Sequence, residues 1–232
     1  MEGQIALLPC RSWGRLAGAG KLESPHRLPS AALSKWRGQR RSELTILLEA
    51  HARLGGAGRG RRYATEQLNF AFMVAVASQF QGFCRDLHVE AVRVMVGLLK
   101  PTANGPQPQA LREALQRGIT SKLALNQGNA QPEVIAQDFL RLGMDFWPEV
   151  ARLAPRRVSL WRKRLRQLNT WRNAIVHSNF SFTHEQVAML EGVIRPKLVH
   201  AKRSWSTCNS VARAADRAVA DYVASLVGAP PW

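Results

Sequence analysis

A chain of 232 residues that is 46% hydrophobic can form one large packed domain, or one domain with an arm. Its 33 Lys+Arg against 16 Asp+Glu leave a formal charge of +17 and a pI near 11.3, which favours nucleic acid or an acidic protein as partner, unless the whole genome is biased toward arginine. Cys10, Cys84 and Cys208 are too scattered for a metal site or a disulfide framework, residues 5–8 are too short a run for a secretory signal, and Asn69, Ser78, Gln79 and Gln81 interrupt the uncharged stretch 67–84, so the expectation is a reduced, cytoplasmic protein off the membrane.

In chain order, residues 1–29 show no periodicity and read as a loose basic arm, or as a start codon placed too far upstream. Residues 30–54 are moderately helical, with Leu33, Trp36, Leu44, Leu47 and Leu48 as packing candidates, and GGAGRGRR at 55–62 is a flexible basic linker. These two parts form a segment, 30–62, ahead of a main domain at 63–228. Residues 65–99 repeat apolar side chains every three or four positions (Leu68, Phe72, Val76, Phe80, Phe83, Leu87, Ala91, Val94, Leu98), which predicts a core helix about 50 Å long. Gly82 within it marks a bend or a close approach. Gln79, Gln81, Arg85, Asp86 and His88 cluster on its middle turns.

PTANGPQP at 101–108 breaks the pattern. A short helix follows at 109–117, ended by Gly118, then a turn at 126–132 and a helix at 132–142 with Val134, Ile135, Phe139 and Leu142 inward. Phe146, Trp147 and Val150 continue the apolar face, with Pro148 in a first turn. After residue 183 comes a short helix to Arg195, and 197–226 reads as a long closing helix with Val211, Ala215, Ala218, Tyr222 and Leu226 at helical spacing. No stretch alternates as a strand does, and there is no internal repeat, no Walker loop and no His/Cys metal cluster. The fold class is all-α.

The most informative stretch is 161–182, WRKRLRQLNTWRNAIVHSNFSF. Trp161, Leu165, Leu168, Trp171 and Ile175 form one helical stripe, and core packing is the stronger reading of both tryptophans over stacking on RNA bases. No acidic residue occurs between Glu149 and Glu185, while Arg156, Arg157, Arg162, Lys163, Arg164 and Arg166 lead into the helix end. Such a run is usually a solvated face. Placed beside a catalytic turn, it is a candidate path for an RNA backbone. Ser178, Asn179 and Ser181 are turn residues, and Thr183 with Gln186 reads as a capping box opening the next helix. Arg172, Asn173 and His177 therefore fall together at a helix end, Asn173 and His177 on one face if the helix persists. A histidine can move protons near neutral pH, an arginine can hold phosphoryl oxygens with two prongs, and an amide can orient either one. The same Arg-x4-His spacing recurs at Arg195 and His200, with Pro196 after the arginine, and carries no meaning there.

RNAIVH at 172–177, with Asn directly after the Arg, resembles the Arg-x4-6-His signature of HEPN domains; the resemblance spans about residues 65–226, but only this motif is specific. It implies an up-and-down helical bundle with long core helices. It also implies a homodimer with two motifs facing across a cleft, and metal-independent endoribonuclease activity of the toxin or antiviral kind. By that resemblance Arg172 and His177 are catalytic, Asn173 supports them, and no metal or cofactor is involved. Asp86 is a further candidate, to orient His177, against the plainer reading that it ties helices together. Two alternatives remain open: a non-catalytic nucleic-acid-binding module of the same fold, and a helical interaction subunit that docks an acidic regulatory protein such as an antitoxin.

Overall fold

The longest apolar stripe becomes the longest helix. The structure, a computed structural model, describes residues 28–55, 63–98 and 108–232; the arm before residue 28 with its Cys10, the 56–62 part of the linker and the break at 99–107 lie outside them. Helix α3, Tyr63–Gly97, runs for 35 residues, about 52 Å. Phe72, Val76, Phe80, Phe83, Leu87 and Ala91 of its stripe are all buried, and the stripe ends at Leu98, which is half exposed. Along it packs α10, Leu198–Val227, whose inward face is built of small side chains: Ala201, Cys208, Ala212, Ala215 and Val219. Small residues let two long helices approach closely while the phenylalanines of α3 fill the space beside them. Gly228, left-handed at φ 77°, closes α10 as the GAPP sequence suggests.

Five further helices complete the body: α4 (Pro108–Thr120), α5 (Ala124–Gln127), α6 (Pro132–Leu140), α7 (Phe146–Leu153) and α8 (Val158–Val176). A short α9 (His184–Met189) lies between α8 and α10. Helix α8 packs on both α3 and α10, giving a bundle of long helices whose core is one continuous cluster. No strand occurs among the described residues, and no described helix is long and apolar enough to cross a membrane. Two boundaries differ from expectation. Helix α4 continues through Gly118 to Thr120, and α9 stops at Met189 because Glu191 and Gly192 adopt positive φ.

The N-terminal segment is not a separate piece. Helix α1 (Ala31–Lys35), a π-helical turn (Trp36–Arg40) and α2 (Arg41–Gly55) lie on α3, and Leu33, Trp36 and Leu44 are buried in the common core, with Leu47 and Leu48 packed against it. The start of α1 is held by carboxylates from two other helices. Ser30 donates its backbone N–H and its hydroxyl to Asp216 of α10, while Glu90 of α3 accepts from the N–H groups of Ala31 (2.8 Å) and Ala32 (3.0 Å). Negative groups at a helix N-terminus satisfy its orphan donors and its dipole.

The π turn delivers Trp36 and Arg40 to the same side. The Trp36 indole N–H donates to Asn209 Oδ1 at 2.8 Å, and its ring meets Phe80 and Phe83. The Arg40 guanidinium, with the residue 7% exposed, donates to the Gln79 carbonyl, to Gln79 Oε1 and to Asp86 Oδ2 (2.7 Å). It lies directly on Gly82, where an added Cβ would stand 2.2 Å from Nη1. Gly82 therefore serves a close approach, one of the two roles its sequence position suggested.

His88 is wholly buried. Its Nε2 lies 3.0 Å from the Asp138 carbonyl, which requires the Nε2–H tautomer, and burial, the largest influence, pushes its pKa below the ordinary 6.5. Asp138 itself caps α5 from a distance, accepting from the N–H groups of Ala124 and Leu125 at 2.8 Å each. Leu123, at the N-cap position, offers no side-chain acceptor.

Candidate functional site

The end of α8 is held in place by polar groups as well as by its apolar stripe. Trp161, Leu165, Leu168 and Trp171 are buried, so both tryptophans are core residues. The Trp171 indole N–H donates to the Val193 carbonyl (2.9 Å), Gln167 Nε2 to the Met189 carbonyl (2.8 Å) and Asn169 Nδ2 to the Ala130 carbonyl (3.0 Å). These bonds fasten the helix to the loop before α6, to the last residue of α9 and to the turn that follows it.

The helix persists to its last expected residue. The His177 N–H donates to the Asn173 carbonyl at 3.0 Å, so Asn173 and His177 do share a face. Beyond it, Ser178 turns left-handed at φ 52°. Its N–H bonds to the Ile175 carbonyl (3.1 Å), and that of Asn179 to the Ala174 carbonyl (2.9 Å). That pair of bonds is a Schellman closure with serine where glycine is usual. It ends the helix sharply at His177 and leaves the imidazole exposed, with no hydrogen bond to another described residue. Thr183 and Gln186 then form the expected reciprocal capping box.

Asn173 is the hub. Its Oδ1 accepts from Asn129 Nδ2 at 2.6 Å and from Arg172 Nη1 at 3.2 Å. The half-buried Arg172 guanidinium is thus steered by an amide and has no carboxylate partner among the described residues. A guanidinium oriented by a neutral group keeps its full charge and most of its donors for a ligand. Asn129, from the loop before α6, is a site residue that the sequence does not advertise: it stands 44 positions from Asn173 with no motif around it. The turn beyond His177 is fastened to α3 by an aromatic contact. Phe180 stacks on Phe70 of α3 (5.4 Å), and Arg195 lies over Phe180 (5.0 Å) while pairing with Glu66 at 3.0 Å.

The other candidates are placed elsewhere or already engaged. Asp86 does not meet His177; its carboxylate is taken by Arg40 and by Lys35 (3.2 Å), while Gln79 and Gln81 bond to Glu43 and to the Leu125 carbonyl. The polar patch of α3 therefore ties helices together. Along α8, Arg166 and Arg162 (3.6 Å) converge on Glu133, Lys163 pairs with Glu191 (2.7 Å), and Arg164 reaches the Thr207 hydroxyl at 3.5 Å. Burial raises the Glu133 carboxyl pKa, but the Arg166 hydrogen bond and the two guanidinium charges outweigh it and hold the group below its usual range. The Lys163 ammonium does the same to Glu191. Arg156 and Arg157, at the opposite end of α8, are exposed and unpaired among the described residues. No three His, Cys, Asp or Glu side chains converge as a metal cluster among the described residues, and Cys84 and Cys208 are buried thiols.

No protein-family model matches the chain, and neither does any curated protein or solved structure.

Proposed function

We propose that the chain is a metal-independent endoribonuclease of the HEPN kind, acting as a dimer through Arg172, Asn173 and His177. The observation that carries this reading is the Asn129–Asn173–Arg172 chain of hydrogen bonds, which orients a charged, carboxylate-free guanidinium at the helix end where an exposed imidazole also sits. In the reaction, His177 takes the proton of an RNA 2′-hydroxyl and the 2′-oxygen attacks the adjacent phosphorus. Arg172 stabilises the charge on the phosphorane oxygens. The bond to the 5′-oxygen breaks, and the histidine of a second copy supplies the proton that this leaving oxygen needs. The products are a 2′,3′-cyclic phosphate and a 5′-hydroxyl. A role in stress response or phage defence, under control of a regulatory protein, belongs to the same proposal.

The test is cleavage of total RNA and tRNA by purified protein in excess EDTA, with the new ends identified chemically. Cleavage that yields cyclic phosphate ends and is lost in His177→Ala and Arg172→Ala supports the reading. Salt-dependent RNA binding without cleavage supports the non-catalytic binding module instead. A tight acidic protein partner with no such RNA affinity supports the interaction subunit.

A further inference from the structure

Of the cations that the sequence emphasises, Arg162 and Arg166 share Glu133, and Lys163 pairs with Glu191. A second concentration of positive charge lies on α10. Lys202, Arg213 and Arg217 are exposed there at spacings of eleven and four, and with Ser206 they keep to one face of the helix. Two grooves flank this face. One, of about 430 Å³, brings Arg37 and Arg41 from the π turn and α2 beside Lys202 and Arg213. The other, of about 550 Å³, brings Arg156 and Arg157 beside Arg213 and Arg217. Arg213 lines both and stands at their common boundary. Neither is lined by a carboxylate. The closest acid to these cations in a described ion pair is Asp221, 3.9 Å from Arg217 Nε.

The chemistry between the cations is also that of a phosphate site. Ser206, Asn209 and Ser210 are hydroxyl and amide groups, which serve phosphate oxygens without reading sequence. The three tryptophans that line the grooves pack in or against the core: Trp36 and Trp161 are buried, and Trp205 meets Phe72 edge-on. Of the three, only the half-buried Trp205 offers aromatic surface there for stacking a base or anchoring a protein partner. From Lys202 to Arg217 the face extends about 22 Å, the length of about six stacked nucleotides at 3.4 Å each.

We propose that this face of α10, with Arg37, Arg41, Arg156 and Arg157 on its flanks, is a groove that holds the RNA phosphate backbone without sequence preference. From the preceding reading it takes only that the polyanion is RNA, and it stands whether or not Arg172 and His177 cut. Helices α8 and α10 run antiparallel, with Arg157 beside Arg217 and Trp171 beside His200 (5.7 Å). RNA leaving the groove past Lys202 therefore points toward the end of the bundle that carries His177.

The test is anisotropy of a fluorescein-labelled single-stranded RNA across a salt series, using the full chain in a His177→Ala background so that the RNA stays intact. K202Q/R213Q/R217Q is compared with R53Q/R93Q/R117Q, which removes the same charge from exposed positions elsewhere. All six substitutions are at exposed helical positions where glutamine keeps helix propensity, and circular dichroism checks the fold. The groove variant is expected to bind at least about tenfold more weakly and to lose about 2 from the slope of log K against log salt, at about 0.7 per phosphate contact on a single strand. The control stays within about threefold of the parent. Equal weakening of both variants, or parent-like binding by the groove variant, overturns the proposal. So does poly-glutamate that displaces the RNA as well, charge for charge, as unlabelled RNA does. Groove-dependent binding together with no cleavage by the wild-type protein in the preceding assay overturns only the nuclease reading.

Discussion

Arg195 and His200 have the spacing of Arg172 and His177, and the fold uses them in the opposite way. Arg195 gives its guanidinium to Glu66 and its plane to Phe180, while His200 Nδ1 accepts the Lys197 N–H (2.9 Å) and its ring lies against Trp171. His200 closes the turn before α10, and Arg195 ties the preceding segment to α3. Burial and the Arg203 charge hold the His200 pKa below its ordinary value, so it rests neutral as a cap acceptor. Arg172 is steered only by an amide, and His177 is exposed at a Schellman closure. The lesson is that spacing does not make a site. What separates the two copies is whether each polar group has already found its partner within the fold.

The largest effect expected from this contrast is catalytic. Alanine at Arg172 or His177 is expected to lower RNA cleavage by about 10²–10⁴-fold, the usual worth of one acid–base or charge-stabilising group. Next comes the buried Arg40. Gly82→Ala places a methyl group where the Arg40 guanidinium lies and is expected to cost about 1–3 kcal/mol in denaturant unfolding. An unchanged midpoint would mean that Arg40 moves freely and that its bonds to Gln79 and Asp86 hold little.

A smaller effect follows from His88. Its folded pKa is depressed, so the unfolded chain takes up a proton first as pH falls. The stability this group contributes is present above pH 6.5 and is lost as pH falls from there through the folded pKa. Thermal midpoints are therefore expected to drop between about pH 7 and pH 5, a window set by the ordinary histidine pKa. In H88Q, which keeps a donor for the Asp138 carbonyl, the drop should be shallower. An identical drop in both proteins would assign the pH response to other groups. The smallest effect belongs to the surface: Lys163→Ala breaks an exposed pair with Glu191 and is expected to change stability by less than about 1 kcal/mol.

Local signals carried far in this chain. The stripes of α3, α8 and α10 gave their lengths within a few residues, and the Thr183–Gln186 box named the start of α9, because helical periodicity and capping are set by neighbours three and four positions away. Partnerships across the fold were not legible. Asp86 could be assigned to His177 only as a guess, since Arg40 stands 46 positions away and reaches it through a π turn. The partners of Arg162, Lys163 and Arg166 are not legible in the basic run because Glu133 and Glu191 come from outside the acid-free window. The α10 face is hidden for the converse reason: Lys202 and Arg217 stand fifteen positions apart, with Arg213 between them, and only a helical projection gathers the three. The packing of α1 rested on Asp216, 186 positions from Ser30.

The most direct test of the central claim sets the two copies against each other. Arg172→Ala, His177→Ala, Arg195→Ala and His200→Ala would be compared for cleavage of the same RNA in EDTA, with folding checked for each. Loss confined to the first two, with the second two within about threefold of wild type once folded, is the predicted result and about the scatter expected of substitutions remote from the chemistry. Cleavage that survives Arg172→Ala and His177→Ala, or that fails equally in all four, would contradict the assignment of the α8 terminus as the active centre.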